Sequence, residues 1–260
     1  MKIDFVWDPN QLVGQTVPRP KGTLSGHAAG LPFEEVVHRQ LSSTFGGRVF
    51  RHYEVLNEVL IRNPDATSAD RRRELFGAPA LQYLICRGHQ AMAGWRPDSL
   101  FVEKQNDTAE SILFTDSSMR FDQEITFLDV KTHNEHKKGQ PPNIISANKL
   151  AEAFELCLRN DDFNFDFTYI GVGWEVLETH LRCTRSQVVS LFKMDPRLYI
   201  NWAAATQVQF HPLEADQSFA GGRRDWAIEF LVGFCESLQK RVDKESGKIE
   251  RYRTLIDGVT

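Results

Sequence analysis

The chain is predicted to adopt an α/β fold, and three observations predict it. Amphipathic helical stretches alternate with short β-branched and aromatic runs, which is the grammar of a sheet covered by helices. No apolar run approaches membrane-spanning length. No internal repeat, low-complexity tract or linker divides the 260 residues, so residues 1–260 are expected to form one domain. At 41% hydrophobic and 25% charged residues the composition is that of an ordinary globular protein, long enough to bury a core without disulfides or structural metals.

Taken in order, residues 14–32 are rich in Gly, Pro and small residues and read as extended chain or loop. A helix is expected to follow, with Pro32 at its start and Phe33, Val36, Val37 and Leu41 at helical spacing. Residues 53–62 predict a second helix, stopped near Pro64. "SADRRRELFG" predicts a third, with Ser68 as N-cap and Gly77 as stop, and "PALQYLICRG" a fourth. "SILF" and "EITFLDVKT" then predict an antiparallel strand pair around a polar turn, "TDSSMRFDQ". "SANKLAEAFELCLRN" carries apolar residues at 150, 153, 154, 157 and 158, the stripe of an amphipathic helix. "FDFTYIGVGWEV" reads as a strand and "RSQVVSLFKM" as a short helix before Pro196. "LYINWAAATQVQFH" fits strand or helix. The C-terminal "RRDWAIEFLVGFCESLQKRVDKESGKIERYR" reads as a long helix, frayed at Gly247.

The formal net charge of −4 argues against a protein that coats nucleic acid non-specifically, but it leaves room for a local basic cleft. The four cysteines, Cys86, Cys157, Cys183 and Cys235, form no Cys-x-x-Cys pair, which speaks against a zinc ribbon and suits a reducing compartment. Asp4 and Asp8 stand where a signal peptide needs an apolar run. A cytoplasmic protein without membrane association is the expectation.

The chemistry concentrates in "EITFLDVKTHNEHKKGQPPN". Strand residues i and i+2 share a face, so Asp129 and Lys131 project together, with Phe127 and His133 on the same side, while Val130 points into the core. A carboxylate beside an ammonium on a rigid strand is either a structural ion pair or a site that holds a divalent cation and a water against a phosphate. A second (D/E)-x-K, Glu135-x-Lys137, has no apolar flank and reads as solvated loop. A nuclease needs a further acid near Asp129, and "EKQNDTAESILF" offers Glu110 at the head of a strand and Asp107 in the loop before it.

Beyond that pair, the blocks "RPKGTLSGHAAGLPFE", "EKQNDTAES", "LDVKTHN", "PPNIISANKLA" and "YINWAAATQVQFH" resemble the type II restriction endonucleases of the HincII/HindII family, within the PD-(D/E)xK nuclease superfamily. The likeness runs from about residue 14 to about residue 230. It implies a restriction-endonuclease-like fold, a central mixed sheet flanked by helices. It also implies a homodimeric, Mg²⁺-dependent enzyme that cuts both strands of duplex DNA at a short palindrome of the GTYRAC kind, leaving blunt ends. On this resemblance Asp129 and Lys131 are the catalytic acid and lysine, and Glu110 stands where the family has an aspartate for the metal. Asp129, Glu110 and the Val130 carbonyl would hold the metal. Two recognition loops are implied, about 132–146 and 199–211. Gln140 falls at a wedge into the base stack and Asn143 at a base-reading position. Asn201 and Ala203 lie in a second recognition block, and Gln105, Asn106 and Thr132 beside the catalytic residues as DNA contacts. A host with such an enzyme also needs a DNA methyltransferase.

Several residues have plainer readings. Lys137 and Lys138 fit a solvated loop as well as phosphate contacts. Arg71, Arg72 and Arg73 fit an exposed helix face, and His27 fits either packing or DNA proximity. The resemblance supplies no histidine ligand, so His133 and His136 are not expected at the metal. Trp202 and Trp226 are expected in the core. The alternative to a nuclease is a DNA-binding protein of the same fold weakened in catalysis at Glu110, and behind it a structure-specific repair nuclease.

Overall fold

The computed structural model describes residues 5–21, 26–62, 79–87, 97–103, 124–137, 139–203 and 206–259. Among them, nine strands form two sheets. The larger sheet contains β1 (Thr16–Pro18), β2 (Val49–Arg51), β3 (Ser99–Val102), β4 (Ile125–Asn134), β6 (Phe165–Val176) and β7 (His180–Ser190) in the order β1-β7-β6-β4-β3-β2. It is mixed: β4 and β6 run parallel, and the other pairs antiparallel. The smaller sheet has the order β5-β9-β8, from β5 (Asn143–Ser146), β9 (Gln207–Gln209) and β8 (Ile200–Asn201).

Helices cover both faces of the large sheet. On one side lie α3 (Pro79–Arg87), α4 (Ala147–Asn160) and α5 (Arg223–Val259), which bury Leu81, Leu84, Leu150, Phe154, Trp226 and Phe230 against Leu100, Ile125, Phe127 and Phe167. On the other, α1 (Gly26–Phe45) sets Phe33, Val37 and Leu41 against Leu128, Val130, Ile170 and Val172. The helix α2 (His52–Arg62) follows β2 directly. The first six residues of β4 are thus buried on both faces, which is why they are mostly apolar with little alternation. A parallel pair such as β4 and β6 needs a crossover, and α4 provides it.

Several expectations are corrected. α1 begins at Gly26, so Pro32 lies inside the helix and the looplike reading fails over 26–32. The first residues after Gly26 include the helix formers Ala28 and Ala29, and the packed row of Phe33, Val37 and Leu41 outweighs the hydrogen bond lost at the proline. The segment from Arg185 is strand, not helix: β7 runs to Ser190 and only Leu191–Lys193 turns as a 3-10 helix. Val188 and Val189 pair with Ile170 and Tyr169 on β6, a tertiary choice that suits β-branched residues. "LYINWAAATQVQFH" resolves as the β8–β9 pair, with Ile200 opposite Val208 and Asn201 opposite Gln207. α5 passes through Gly247 without a break. The expected helix at 68–77 and the expected strand "SILF" lie outside the described residues. The antiparallel partner seen along Ile125–Leu128 is β3, a strand the sequence reading had missed.

Candidate active site and DNA interface

The site begins where β3 ends. Ser99 pairs with Leu128, so Asp129 is the first residue of β4 beyond that partner, and the edge of β4 opens there. Asp129 is nonetheless 4% exposed, because β6 continues on its other side with Tyr169 opposite it. A carboxylate at this depth is retained only with compensation. Lys131 Nζ lies 2.8 Å from Asp129 Oδ2 and keeps 21% of its side-chain exposure, so the pair is anchored at the acid and open at the amine.

A second carboxylate fills the opened edge. The Val130 N–H donates to Asp98 Oδ2 at 2.7 Å, and the Asp98 N–H donates to the Leu128 carbonyl at 2.8 Å. A strand residue points its N–H and C=O to the same edge, so the Val130 carbonyl also faces the side where Asp98 sits. Glu34, from α1, adds a third negative charge felt by both Asp98 and Lys131. Burial, then repulsion from Asp129 and Glu34, push the Asp98 carboxyl well above the ordinary carboxylate range, against the Val130 hydrogen bond and Lys131. Burial works against the charge of Lys131, but Asp129, Asp98 and Glu34 overcome it and hold its pKa above the usual lysine value. Tyr169 is pushed up by burial and then by Asp129 and Asp166, and its hydroxyl has no hydrogen-bond partner among the described residues. Among the described residues the acids Asp98, Asp129 and Glu34 face the single ammonium of Lys131, an arrangement that a divalent cation would relieve.

Downstream of Lys131, the two expected recognition segments meet. β5 and β9 pair with Asn143 opposite Gln209, and β8 pairs with β9 beside them. Asn143 is exposed and Asn201 half-buried, and Gln140 is exposed just before β5. Three amides join across this sheet: Asn201 Nδ2 donates to Gln209 Oε1 at 3.1 Å, and Gln209 Nε2 donates to Asn143 Oδ1 at 2.7 Å. The turn after β8 is fixed by the Ala203 N–H donating to Asn201 Oδ1 at 3.0 Å. Trp202 in that turn docks on α5, donating from Nε1 to Ser237 Oγ at 2.8 Å. Its ring continues a stacked column of Trp226, Phe230 and Phe234, with interplanar angles of 9° or less.

A strand carrying an acid and a lysine thus lies upstream of a small sheet whose amides are joined side chain to side chain. Sequence comparison decides the family. The profile described as "Restriction endonuclease HincII" matches residues 9–253. The chain belongs to the HincII restriction endonuclease family. Within the HincII family it is 42% identical over 248 residues to the type II restriction enzyme HindII of Haemophilus influenzae strain Rd, covering 93% of this chain and 94% of the relative. The type II restriction enzyme HincII of Haemophilus influenzae matches at the same identity and coverage. Among solved structures, the NlaIV restriction endonuclease aligns over 89% of this chain and 86% of its own, with a TM-score of 0.39 and 8% identity. As a HincII-family protein the chain is a restriction endonuclease, a class of enzyme that acts on DNA with a divalent metal ion.

The residues singled out from the sequence fall in three groups. Asp129, Lys131 and Thr132 sit together at the open edge of β4. Asn143, Asn201 and Ala203 sit together on the small sheet, and Gln140 stands beside it. Gln105, Asn106, Asp107, Glu110, Lys138 and Arg71–Arg73 lie outside the described residues, as does the side chain of His27. Glu135 departs from the solvated reading: its Oε1 accepts from Arg185 Nε at 2.7 Å, across the position where Gly173 has no Cβ to obstruct it. The two histidines turn elsewhere, His133 against the ring of His211 and His136 toward Glu175 at 3.6 Å. Trp226 is fully buried, whereas Trp202 is half-buried at the α5 surface. The sequence reading missed Asp98, Glu34 and Gln209. Asp98 had a signal, a Pro97–Asp98 step directly before the apolar run "SLFV". Glu34 had none, being one acid among several on a helix.

Proposed function

We propose that the chain is a site-specific type II endonuclease that hydrolyses both strands of duplex DNA at a short palindrome, of the GTYRAC kind with a blunt cut. The observation that carries this reading is the Asp129–Lys131 pair at the open edge of β4, with Asp98 and the Val130 carbonyl on the same edge. Hard oxygen donors of this kind suit Mg²⁺. Among the described residues no three His, Cys, Asp or Glu side chains form a ready metal cage. The ion would therefore be held by Asp129, the Val130 carbonyl and Asp98, with Glu110 as the further carboxylate that the family resemblance assigns. When bound, it supplies charge neutralisation at the phosphate and makes water a better nucleophile.

The protein's own groups do the positioning. Asp129 fixes Lys131, and the nearby carboxylates favour its charged form. Lys131 acts as a hydrogen-bond donor to the attacking water or a non-bridging phosphate oxygen. Attack in line on phosphorus breaks the bond to O3′ and leaves a 5′-phosphate and a 3′-hydroxyl. Thr132 serves as a DNA-backbone contact, as do Gln105 and Asn106 on the family resemblance, with Asn143, Asn201 and Ala203 as the base-reading surface and Gln140 as the wedge.

Two-strand cleavage at a palindrome needs two such sites related by a two-fold axis, hence a homodimer. Exposed Val242, Ile249 and Ile256 on α5 recur every seven residues, the spacing of a helix–helix seam, and support a paired chain. A cognate methyltransferase protecting host DNA completes the proposal. Digestion of a known plasmid with Mg²⁺, with the ends sequenced, tests it. Discrete bands are expected from the wild type. Lys131→Ala should lower the rate by about a thousandfold while sequence-specific binding survives, and undiminished cutting by that variant would sink the assignment.

A further inference from the structure

Gln209 lies between the two segments assigned to base reading and is itself 6% exposed. It cannot present its amide to DNA in the way Asn143 can. What it does is set the polarity of its neighbours. The Ala203 N–H can only donate, so the atom of Asn201 facing it is Oδ1, and the Asn201 NH₂ is turned toward Gln209. Gln209 must then offer Oε1 to Asn201 and its NH₂ to Asn143 Oδ1. One main-chain donor thereby fixes three side-chain amides in sequence. Asn143 is exposed, and among the described residues its Nδ2 has no hydrogen-bond partner, which leaves both Nδ2 hydrogens and the second lone pair of Oδ1 for a ligand. That is the pairing edge a bidentate contact to adenine N6 and N7 requires.

We propose that Gln209 is a specificity-positioning residue: it holds the Asn143 amide in one orientation and couples it to Asn201, so that the two recognition segments read DNA as one unit. The inference rests on the reading of Asn143 and Asn201 as base contacts. Without Gln209, the Asn143 amide is free to flip, and a flipped amide presents donor and acceptor in exchanged places. The expected loss is in discrimination between sequences more than in grip on DNA, because phosphate contacts are untouched.

The test compares Gln209→Met, which keeps the shape and removes the amide, with Gln209→Glu, which keeps the shape and replaces the donor by an acceptor. Initial rates, split into kcat and KM, are measured on a duplex bearing the wild-type site and on its single-base variants. Each substitution should reduce the ratio of rates at the position read by Asn143 by about ten- to hundredfold. In an Asn143→Ala background, Gln209→Met should have no further effect on that ratio. Asn201→Ala severs the chain at its half-buried end, and covers the case in which Gln209 variants lose cooperative melting. It should relax the same position. The proposal is overturned if folded Gln209 variants keep the wild-type ratios, if they slow all sequences equally, or if Gln209→Met and Asn143→Ala act additively. Wild-type behaviour separates the underlying reading: if it binds one sequence without cutting, the same ratios are taken from binding and the endonuclease reading alone fails. If it neither cuts nor selects any sequence, both fail together.

Discussion

Asp98 shows how a single acid can serve structure and charge at once. Its Oδ2 caps the Val130 N–H that β3 leaves unpaired, and its charge is opposed by Asp129 and Glu34. The two roles separate by substitution. Asp98→Asn keeps an acceptor for the Val130 N–H and removes the charge. It should fold normally and need about ten times more divalent metal for half-maximal cleavage. Asp98→Ala also orphans a buried N–H and should cost about 1–3 kcal/mol in chemical denaturation. An unchanged metal midpoint in Asp98→Asn would show that the carboxylate serves only the backbone. This residue also marks the limit of what the sequence disclosed. Asp129 and Lys131 were legible because period-two spacing in an apolar strand fixes a shared face. Asp98 was not, because its nearness to Asp129 depends on where β3 stops, and strand ends are set by pairing, not by local composition.

Among the elements, α5 joins the core to the turn after β8. Its residues Trp226, Phe230 and Phe234 stand one turn apart and stack into a column that ends on Trp202, in the turn directly after β8. The guanidinium of Arg241 covers the outer face of Trp202 at 5.2 Å. The helix was legible from its length and apolar stripe. The column was not, because Trp202 reaches α5 only through the hairpin, a non-local contact. Trp202→Ala should lower stability by about 2 kcal/mol, less than a fully buried tryptophan would lose. Because the Ala203 N–H that anchors the amides lies in the same turn, it should also blur discrimination between related sequences. A melting curve and a cleavage profile on single-base variants check both, and a drop in stability with unaltered selectivity would uncouple α5 from the hairpin.

At the scale of the whole molecule, the end of the sheet opposite the active site is closed by charge. Arg223, at the start of α5, contacts Glu124 and lies 3.5 Å from Asp166, whose carboxylate also accepts from Ser190 Oγ at 3.0 Å. Burial raises the pKa of Asp166 to about 6, with Arg223 and Ser190 pulling it back and Glu124 pushing it further up. The folded protein therefore holds this proton more tightly than the unfolded chain does. Its contribution is fully present below the ordinary carboxylate pKa and is lost as pH rises toward 6, a change of up to about 3 kcal/mol. Asp166→Asn should flatten the stability profile in that window, as urea melts at pH 4.5 and 7 would record. A profile identical to the wild type would assign the pH dependence to other groups. Among the described residues no helix is long and apolar enough to cross a membrane.

The β5–β9 pairing has a consequence for the life of the chain as it is made. The parallel partner of the strand carrying Asp129 is complete once Val176 has left the ribosome, but Asn143 finds Gln209 only when a further thirty or so residues have followed. Closing so long a loop is slow relative to local structure. A nascent chain thus frames the Asp129–Lys131 pair between its strands before Asn143, Gln209 and Asn201 are joined, so on the proposed roles the means of cutting takes shape ahead of the means of choosing where.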